Sequence, residues 1–332
     1  MTFGTNPVAK EALTNTNNEN LRLRGNIFTE FEFFKSLKYR FNLGFETSSD
    51  KHKYLRKEGN WTFNQPWDPS SLNKNMARFN SLVYDNTLEF NKKFGHHDIS
   101  AVAGTSFMDI DYEQIWGTKN DLLRLSDGTY FDQLNAAQRD PKTGGWLDMQ
   151  KLFSLFGRIN YNYADKYLLS ATVRRDASSK FGPGYRDGVF PSISGAWKID
   201  NESFFHIPWI NDLKVRANYG VLGSSNIGVW DWVPFINSFP QVIFGKDQHL
   251  ENGQTQVKLV NENLKWEELH ELNIGVDATL LDNRLDVTAE YFRSTTKDVL
   301  TAMQILMSTG NNGGNPNVNA ASLRNTGYEL SL

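Results

Sequence analysis

The chain has 332 residues, 39% hydrophobic and 13% aromatic, with a formal charge of −3 and no cysteine. The absence of thiols excludes a disulfide scaffold, Cys-ligated zinc, iron–sulfur ligation and thiol catalysis, and the near-neutral charge offers no basic field for nucleic acid. No run approaches the roughly 18 apolar residues of a membrane-spanning helix, so any membrane contact must run through strands.

Period-2 alternation, the signature of strands, occupies residues 20–33, 38–55, 77–91, 98–114, 149–163, 167–180, 188–200, 212–222, 266–280, 284–298 and 323–332. Helical periodicity is almost absent. The opening stretch, MTFGTNPVAKEALTNTNNEN, has no basic region followed by an apolar one. The expectation is that the protein stays inside the cell or that the chain is a piece of a longer one. Connections alternate in length: FKSL, KKFGHH, ADK and LDN are short, whereas 56–76, 115–148, 223–265 and 299–322 are long. Tight turns at one end of a sheet and long loops at the other suit an outer-membrane barrel, while Greek-key sandwiches mix long connections at both ends. Several segments also exceed the roughly 9–11 residues that cross a bilayer at a tilt, against a mode of about 5–6 in soluble sheets.

In FGRINYNYADKYLLSATVRRD, residues 156–176, one face carries Gly157, Ile159, Tyr161, Tyr163, Tyr167, Leu169, Ala171 and Val173. The other carries Arg158, Asn160, Asn162, Ser170, Thr172 and Arg174. RLDVTAEYFRSTTKD, 284–298, splits the same way, with Leu285, Val287, Ala289 and Tyr291 against Asp286, Thr288, Glu290 and Ser294. Acidic side chains against hydrocarbon are costly. The apolar face is therefore expected to meet lipid, and Arg158, Asn160, Arg174, Lys214, Arg216, Asp286 and Glu290 are expected to face the lumen. Tyr161, Tyr163 and Tyr167 flank a short turn, where an interfacial aromatic girdle would place them.

Trp61, Trp67, Trp116, Trp146, Trp230 and Trp232 lie in or beside the three longest loops. Flat indole faces beside Asp, Asn or Arg groups suit stacking on sugar rings or gripping peptide. Trp230, Asp231 and Trp232 in GVWDWVPF, with Trp61 and Trp67, are the expected contacts to substrate or to a lid; the plainer reading is that these indoles pack the loops together. Asp109, Asp111 and Glu113 share a face with strand spacing and could hold calcium through oxygen ligands, although such a row is more often solvated surface. His96 and His97 are adjacent and project oppositely, which argues against a two-histidine metal site. In RRDASSKFG, 174–182, Asp176, Ser178 and Ser179 are expected to cap a turn. No Ser-His-Asp order, phosphate loop or metalloprotease helix appears, so neither an enzyme nor a cofactor is expected.

The stretch LFGRINYNYADKYLLSATVRRDASSKFGPGYRDGVFPSISGAWKIDNESFF, 155–205, resembles the barrel signature of SusC/RagA-like TonB-dependent outer-membrane transporters. The resemblance continues in family order through INDLKVRANYGVLGSSNIG (210–228), NENLKWEELHELNIGVDATLLDNRLDVTAEYFRSTTKDVL (261–300) and NTGYELSL (325–332). GSSNIG departs from the Asn-Gln pair more usual there. The resemblance implies an all-β, antiparallel transmembrane barrel of about 22 strands in the cell outer membrane, with short periplasmic turns and long extracellular loops. It also implies import of oligosaccharides or peptides, a plug reached by TonB, and a SusD-like surface lipoprotein acting as a lid.

Eleven strands is an odd number, whereas single-chain bacterial barrels close with an even set. Residues 1–332 are therefore expected to form about half of such a wall, with the plug, the N-terminal extension and the last strands absent and the remaining strands supplied by other chains. The alternative function is a soluble secreted β-sandwich carbohydrate-binding module.

Overall fold

The computed structural model describes residues 6–59, 68–237, 241–256, 259–306, 308 and 314–332. A helix that alternation did not reveal, α1 (Pro7–Leu13), opens the described chain. Asn6 Oδ1 caps it by accepting from the Val8 and Ala9 amides, and Pro7 fits the first turn, where no backbone donor is needed.

The strands follow in order: β1 (Thr14–Phe34), β2 (Leu37–Arg56), β3 (Ser71–Phe94), β4 (His97–Asn120), β5 (Arg139–Tyr163), β6 (Tyr167–Ser178), β7 (Asp187–Lys198) and β8 (Ile210–Ser224). Four short ones, β9 (Ile236–Asn237), β10 (Gln241–Phe244), β11 (His249–Asn252) and β12 (Thr255–Gln256), fall inside one long loop. The series ends with β13 (Glu267–Leu280), β14 (Leu285–Ala302) and β15 (Asn317–Ser331).

One eleven-stranded sheet runs β1-β2-β3-β4-β5-β6-β7-β8-β13-β14-β15, and each of its strands answers to one alternating segment of the sequence. The remaining short strands form two two-stranded ribbons, β10 with β11 and β9 with β12. A sandwich needs two sheets packed face to face, and among the described residues no second large sheet exists. No described helix is long and apolar enough to cross a membrane, a criterion that does not bear on strands.

The strands run past the alternating segments at the long-loop end. β3 reaches 24 residues and β5 reaches 25, the latter beginning in RDPKTGGWLD. In these extensions side-chain alternation lapses, while backbone pairing with the neighbour continues to satisfy N–H and C=O groups.

Short turns carry the backbone chemistry that hairpins demand. Ala164 and Asp165 sit at φ 53° and 56°, and the Lys166 amide donates to Tyr163 O at 2.9 Å, a tight turn inside the three-residue connection between Tyr163 and Tyr167. Asn162 Oδ1 steadies it by accepting from the Asp165 amide at 3.1 Å.

The chain divides into two compact units. The first comprises Met1–Ile27, Leu43–Val83 and Asp109–Met149. Its core is Leu55, Leu72, Leu122 and Ala137, lined by Tyr130 and Leu134. Ser70 Oγ accepts from the Leu122 amide there at 2.8 Å, and Lys53–Asp132 and Arg56–Asp68 ion pairs of 2.7 and 2.8 Å close the loops over it. The second comprises Phe28–Asn42, Tyr84–Met108 and Gln150–Leu332. Its core, Phe181, Phe190, Val221, Ile227, Leu264 and Trp266, sits at the long-loop end.

Candidate functional site

Register in the second unit sorts side chains into complete rows. Tyr163, Tyr167, Trp197, Val215, Val276, Ala289 and Leu330 lie directly across from one another on successive strands. Tyr161, Leu169, Gly195, Ala217, Ile274, Tyr291 and Tyr328 form a second apolar row two residues farther from the turns. Between these rows runs Asn162, Leu168, Ala196, Arg216, Gly275, Glu290 and Glu329, and beyond it Asn160, Ser170, Ser194, Asn218, Asn273, Phe292 and Gly327. Because successive strand residues project oppositely, these rows belong to two faces, one apolar and one polar.

All seven of Arg158, Asn160, Arg174, Lys214, Arg216, Asp286 and Glu290 stand on the polar face by this register. Arg216 is its hub. Its guanidinium donates to Asp277 Oδ2 at 3.1 Å and Asn273 Oδ1 at 3.1 Å, and it pairs with Glu290. Lys214 Nζ reaches Asp277 at 3.0 Å, and Asn273 Nδ2 donates to Glu290 at 3.1 Å. Gly275 leaves room for the guanidinium, since a Cβ there would lie 2.9 Å from Arg216 Cζ and the side chain would have to shift. Asp286 accepts from Thr279 Oγ1 at 2.8 Å. A depression of about 760 Å3 opens on this face, lined in part by Ser100, Asn160, Ser170, Ser194, Lys214 and Arg216.

Asn160 joins strands, donating to Ser100 Oγ at 3.0 Å and accepting from Ser170 Oγ at 2.8 Å and from Arg158 Nε at 3.0 Å. Arg174 is engaged by Asp176 at 2.7 Å and by Ser154 Oγ at 2.8 Å. Asp176 is thus an ion-pair partner and not a turn cap. Ser178 does cap, accepting from the Lys180 amide at 3.2 Å, whereas Ser179 Oγ accepts from the Lys151 amide of the neighbouring strand at 2.8 Å.

The indoles of the long loops divide. Trp232 packs against the Phe181–Trp266 core. Asp231 ties two loops, accepting from the Gly228 amide and from Asn317 Nδ2 at 2.7 Å each. Trp230 meets Phe235 edge-on with centroids 6.2 Å apart. Lys180, in the loop after β6, is half-buried, and burial lowers the affinity of its amine for a proton. In the first unit, the Trp116 ring lies over Gly144 and Trp146 is 63% exposed. Trp61 and Trp67 lie outside the described residues.

The calcium reading of Asp109, Asp111 and Glu113 is not supported by the structure: among the described residues no group of three or more His, Asp or Glu side chains could hold a metal ion. Same-face neighbours on a strand are about 6.6 Å apart, too far to converge on one ion at about 2.4 Å without a fold in the backbone.

A profile of the family described as TonB dependent receptor-like, beta-barrel matches residues 2–332. The chain belongs to that family. TonB-dependent receptor P39 of Formosa agariphila is 30% identical over 335 residues, covering 98% of this chain and 30% of the relative. TonB-dependent receptor SusC of Bacteroides thetaiotaomicron is 28% identical over 338 residues, covering 98% and 32%. The RagAB peptide importer in its closed-closed state superposes with a TM-score of 0.81 at 23% identity, covering 96% of this chain and 34% of that one. The chain thus spans about a third of the length of the curated relatives it matches. These relatives are receptors and not enzymes, and they place this TonB-dependent receptor wall in the outer membrane.

At the short-turn end of the receptor wall, aromatic rings follow one another along the apolar face. Tyr163 stacks on Tyr167, Tyr167 on Trp197, and Trp197 meets Phe204, each with centroids 6.4 Å apart. Glu202, in the connection after β7, accepts from Lys166 Nζ at 2.9 Å, Tyr167 Oη at 2.7 Å and Trp197 Nε1 at 3.2 Å. These donors, Lys166 foremost, hold its carboxyl down at about 2. The alternation of the sequence exposed the tyrosines but not their carboxylate partner, which lies 35 residues away from Tyr167.

Proposed function

We propose that this wall forms the conduit of a TonB-dependent importer of oligosaccharides or peptides. The apolar face meets lipid. The polar face, with Arg158, Asn160, Arg174, Lys214, Arg216, Asp286 and Glu290, lines the lumen and hydrogen-bonds a plug coupled to TonB, which performs the gating. A SusD-like surface lipoprotein closes the long-loop end. One observation carries the reading: next to the short turns, two rows that are apolar from end to end alternate across seven strands with rows that gather the polar side chains, and the charges of the polar rows are cross-linked to one another. The relatives named SusC and the RagAB peptide importer support the importer class and leave open which of the two substrates this chain serves.

Trp230 is the loop residue we assign to substrate or lid contact, with Trp61 and Trp67 in the same set. Asp231 and Trp232 hold it in place from within the loop core. The test is a full-length receptor carrying Trp230→Ala, assayed with labelled oligosaccharide and labelled peptide mixtures. Reduced uptake at normal surface expression supports the assignment, and unchanged uptake of both removes it.

A further inference from the structure

On β6 and β14 the apolar face acquires charge at the same distance from the short turns. The first cations of that face on these two strands, Arg175 on β6 and Arg293 on β14, each stand eight residues from the turn-side ends Tyr167 and Leu285. That matches the roughly 9–11 residues a tilted strand uses to cross the bilayer, so both sit at the outer-leaflet boundary.

The two are handled differently. Arg175 is neutralised by Asp187 at 2.7 Å. Arg293 is exposed and, among the described residues, stands in no ion pair; nor does Lys297, four residues farther out on the same face. Across the ladder, Arg324 adds a third exposed cation, its Nε donating to Thr295 Oγ1 at 3.3 Å. His270 lies opposite Thr295. The carboxylate opposite Lys297, Glu268, is engaged by His270 Nε2 at 3.0 Å, and Tyr219 Oη lies 2.9 Å from His270 Nδ1. The Tyr291–Tyr328 ring pair, 5.2 Å between centroids, forms the floor beneath this patch.

We propose that Arg293, Lys297 and Arg324 hold the phosphorylated headgroup of an outer-leaflet glycolipid against the outside of the wall. The height of the patch selects a lipid over a soluble anion: its cations rise directly from an apolar face whose rings would pack on acyl chains, and three cations against the single carboxylate of Glu268 leave a positive excess there that attracts anionic headgroups. The inference rests on the lipid-facing assignment of the apolar face.

The test uses the full-length receptor in mild detergent, titrated with monophosphorylated lipid A and followed by native mass spectrometry. Bound lipid is expected to weaken about fivefold for each cation removed in the series R293Q, R293Q/R324Q and R293Q/R324Q/K297Q. K246Q, in the exposed loop hairpin, should bind as the parent does. Dephosphorylated lipid A should not bind comparably, and inorganic phosphate should not displace the lipid. Equal retention by the triple variant and the parent overturns the proposal, as does displacement by inorganic phosphate alone. Because the chain has no cysteine, Tyr291→Cys separates the two possible failures. If it is labelled from water in intact outer membranes, the facing assignment and this inference fall together; if it is protected while lipid retention is unchanged in the triple variant, only this inference falls.

Discussion

Phe181, Phe190 and Trp266 at the long-loop end of the second unit are at most 7% exposed, whereas Tyr167, Trp197 and Phe204 at the short-turn end stand 38–67% exposed. Both ends gather aromatic rings, and they use them in opposite ways. The long loops have enough chain to fold over their own rings: Phe190 covers Gly223 and Gly188, and Trp266 Nε1 is satisfied by Arg186 O at 2.8 Å. The short turns have no chain to spare. Their rings stay on the surface, stacked in a line, with Glu202 taking the polar edges of Tyr167 and Trp197. Rings with an apolar body and a satisfied polar tip are what an interface between hydrocarbon and water selects. One end therefore carries its own core, and the other, on the proposed facing, borrows its apolar environment from the membrane.

The sharpest way to break that contrast is Phe181→Ala. A fully buried ring in a dense core should cost about 3–5 kcal/mol in denaturant unfolding of the folded receptor, and a loss below about 1 kcal/mol would mean that the loops do not hold a core. Next in size, Val287→Arg on the apolar face should cost roughly 2–4 kcal/mol on folding into lipid vesicles. Thr288→Arg, its neighbour on the polar face, should be milder. Equal costs would remove the distinction between faces. Gly275→Ala should cost about 1 kcal/mol, because the new methyl displaces the Arg216 guanidinium from its contacts with Asp277 and Glu290; in an Arg216→Ala background the same Gly275→Ala change should be nearly neutral.

The smallest effect is a pH dependence at the short-turn end. The Glu202 carboxyl is held at about 2, below its ordinary value of 4.5. Its contribution is complete above about 4.5 and is lost as pH falls toward about 2. Melting temperatures of the parent and Glu202→Gln should therefore differ at neutral pH and converge as pH approaches about 2. A constant difference across that window would detach Glu202 from the ring line.

Much of this architecture was legible in the residues. Period-2 alternation located all eleven strands of the sheet, because a strand that divides lipid from water must alternate, and the faces deduced for 156–176 and 284–298 are the faces the register produces. What escaped has physical causes. The outer portions of β3 and β5 lie where alternation is not enforced. The helix at Pro7–Leu13 is only 7 residues long, too short for a periodic signal. Phe190 over Gly223, Trp116 over Gly144 and Glu202 beneath Trp197 are contacts between neighbouring strands or loops, which spacing along one chain segment does not encode. The tryptophans of GVWDWVPF were conspicuous as a group. Only the folded loop separates Trp232, packed into a core, from Trp230 beside Phe235.

The claim on which the rest depends is the assignment of the two faces, and single-cysteine labelling in intact outer membranes tests it most directly in a chain that has no cysteine of its own. Val287→Cys should react with a lipid-soluble maleimide and resist a water-soluble one, while Thr288→Cys should react from water once the plug is displaced. The reverse pattern, or equal reactivity of both positions toward the water-soluble reagent, would contradict the account.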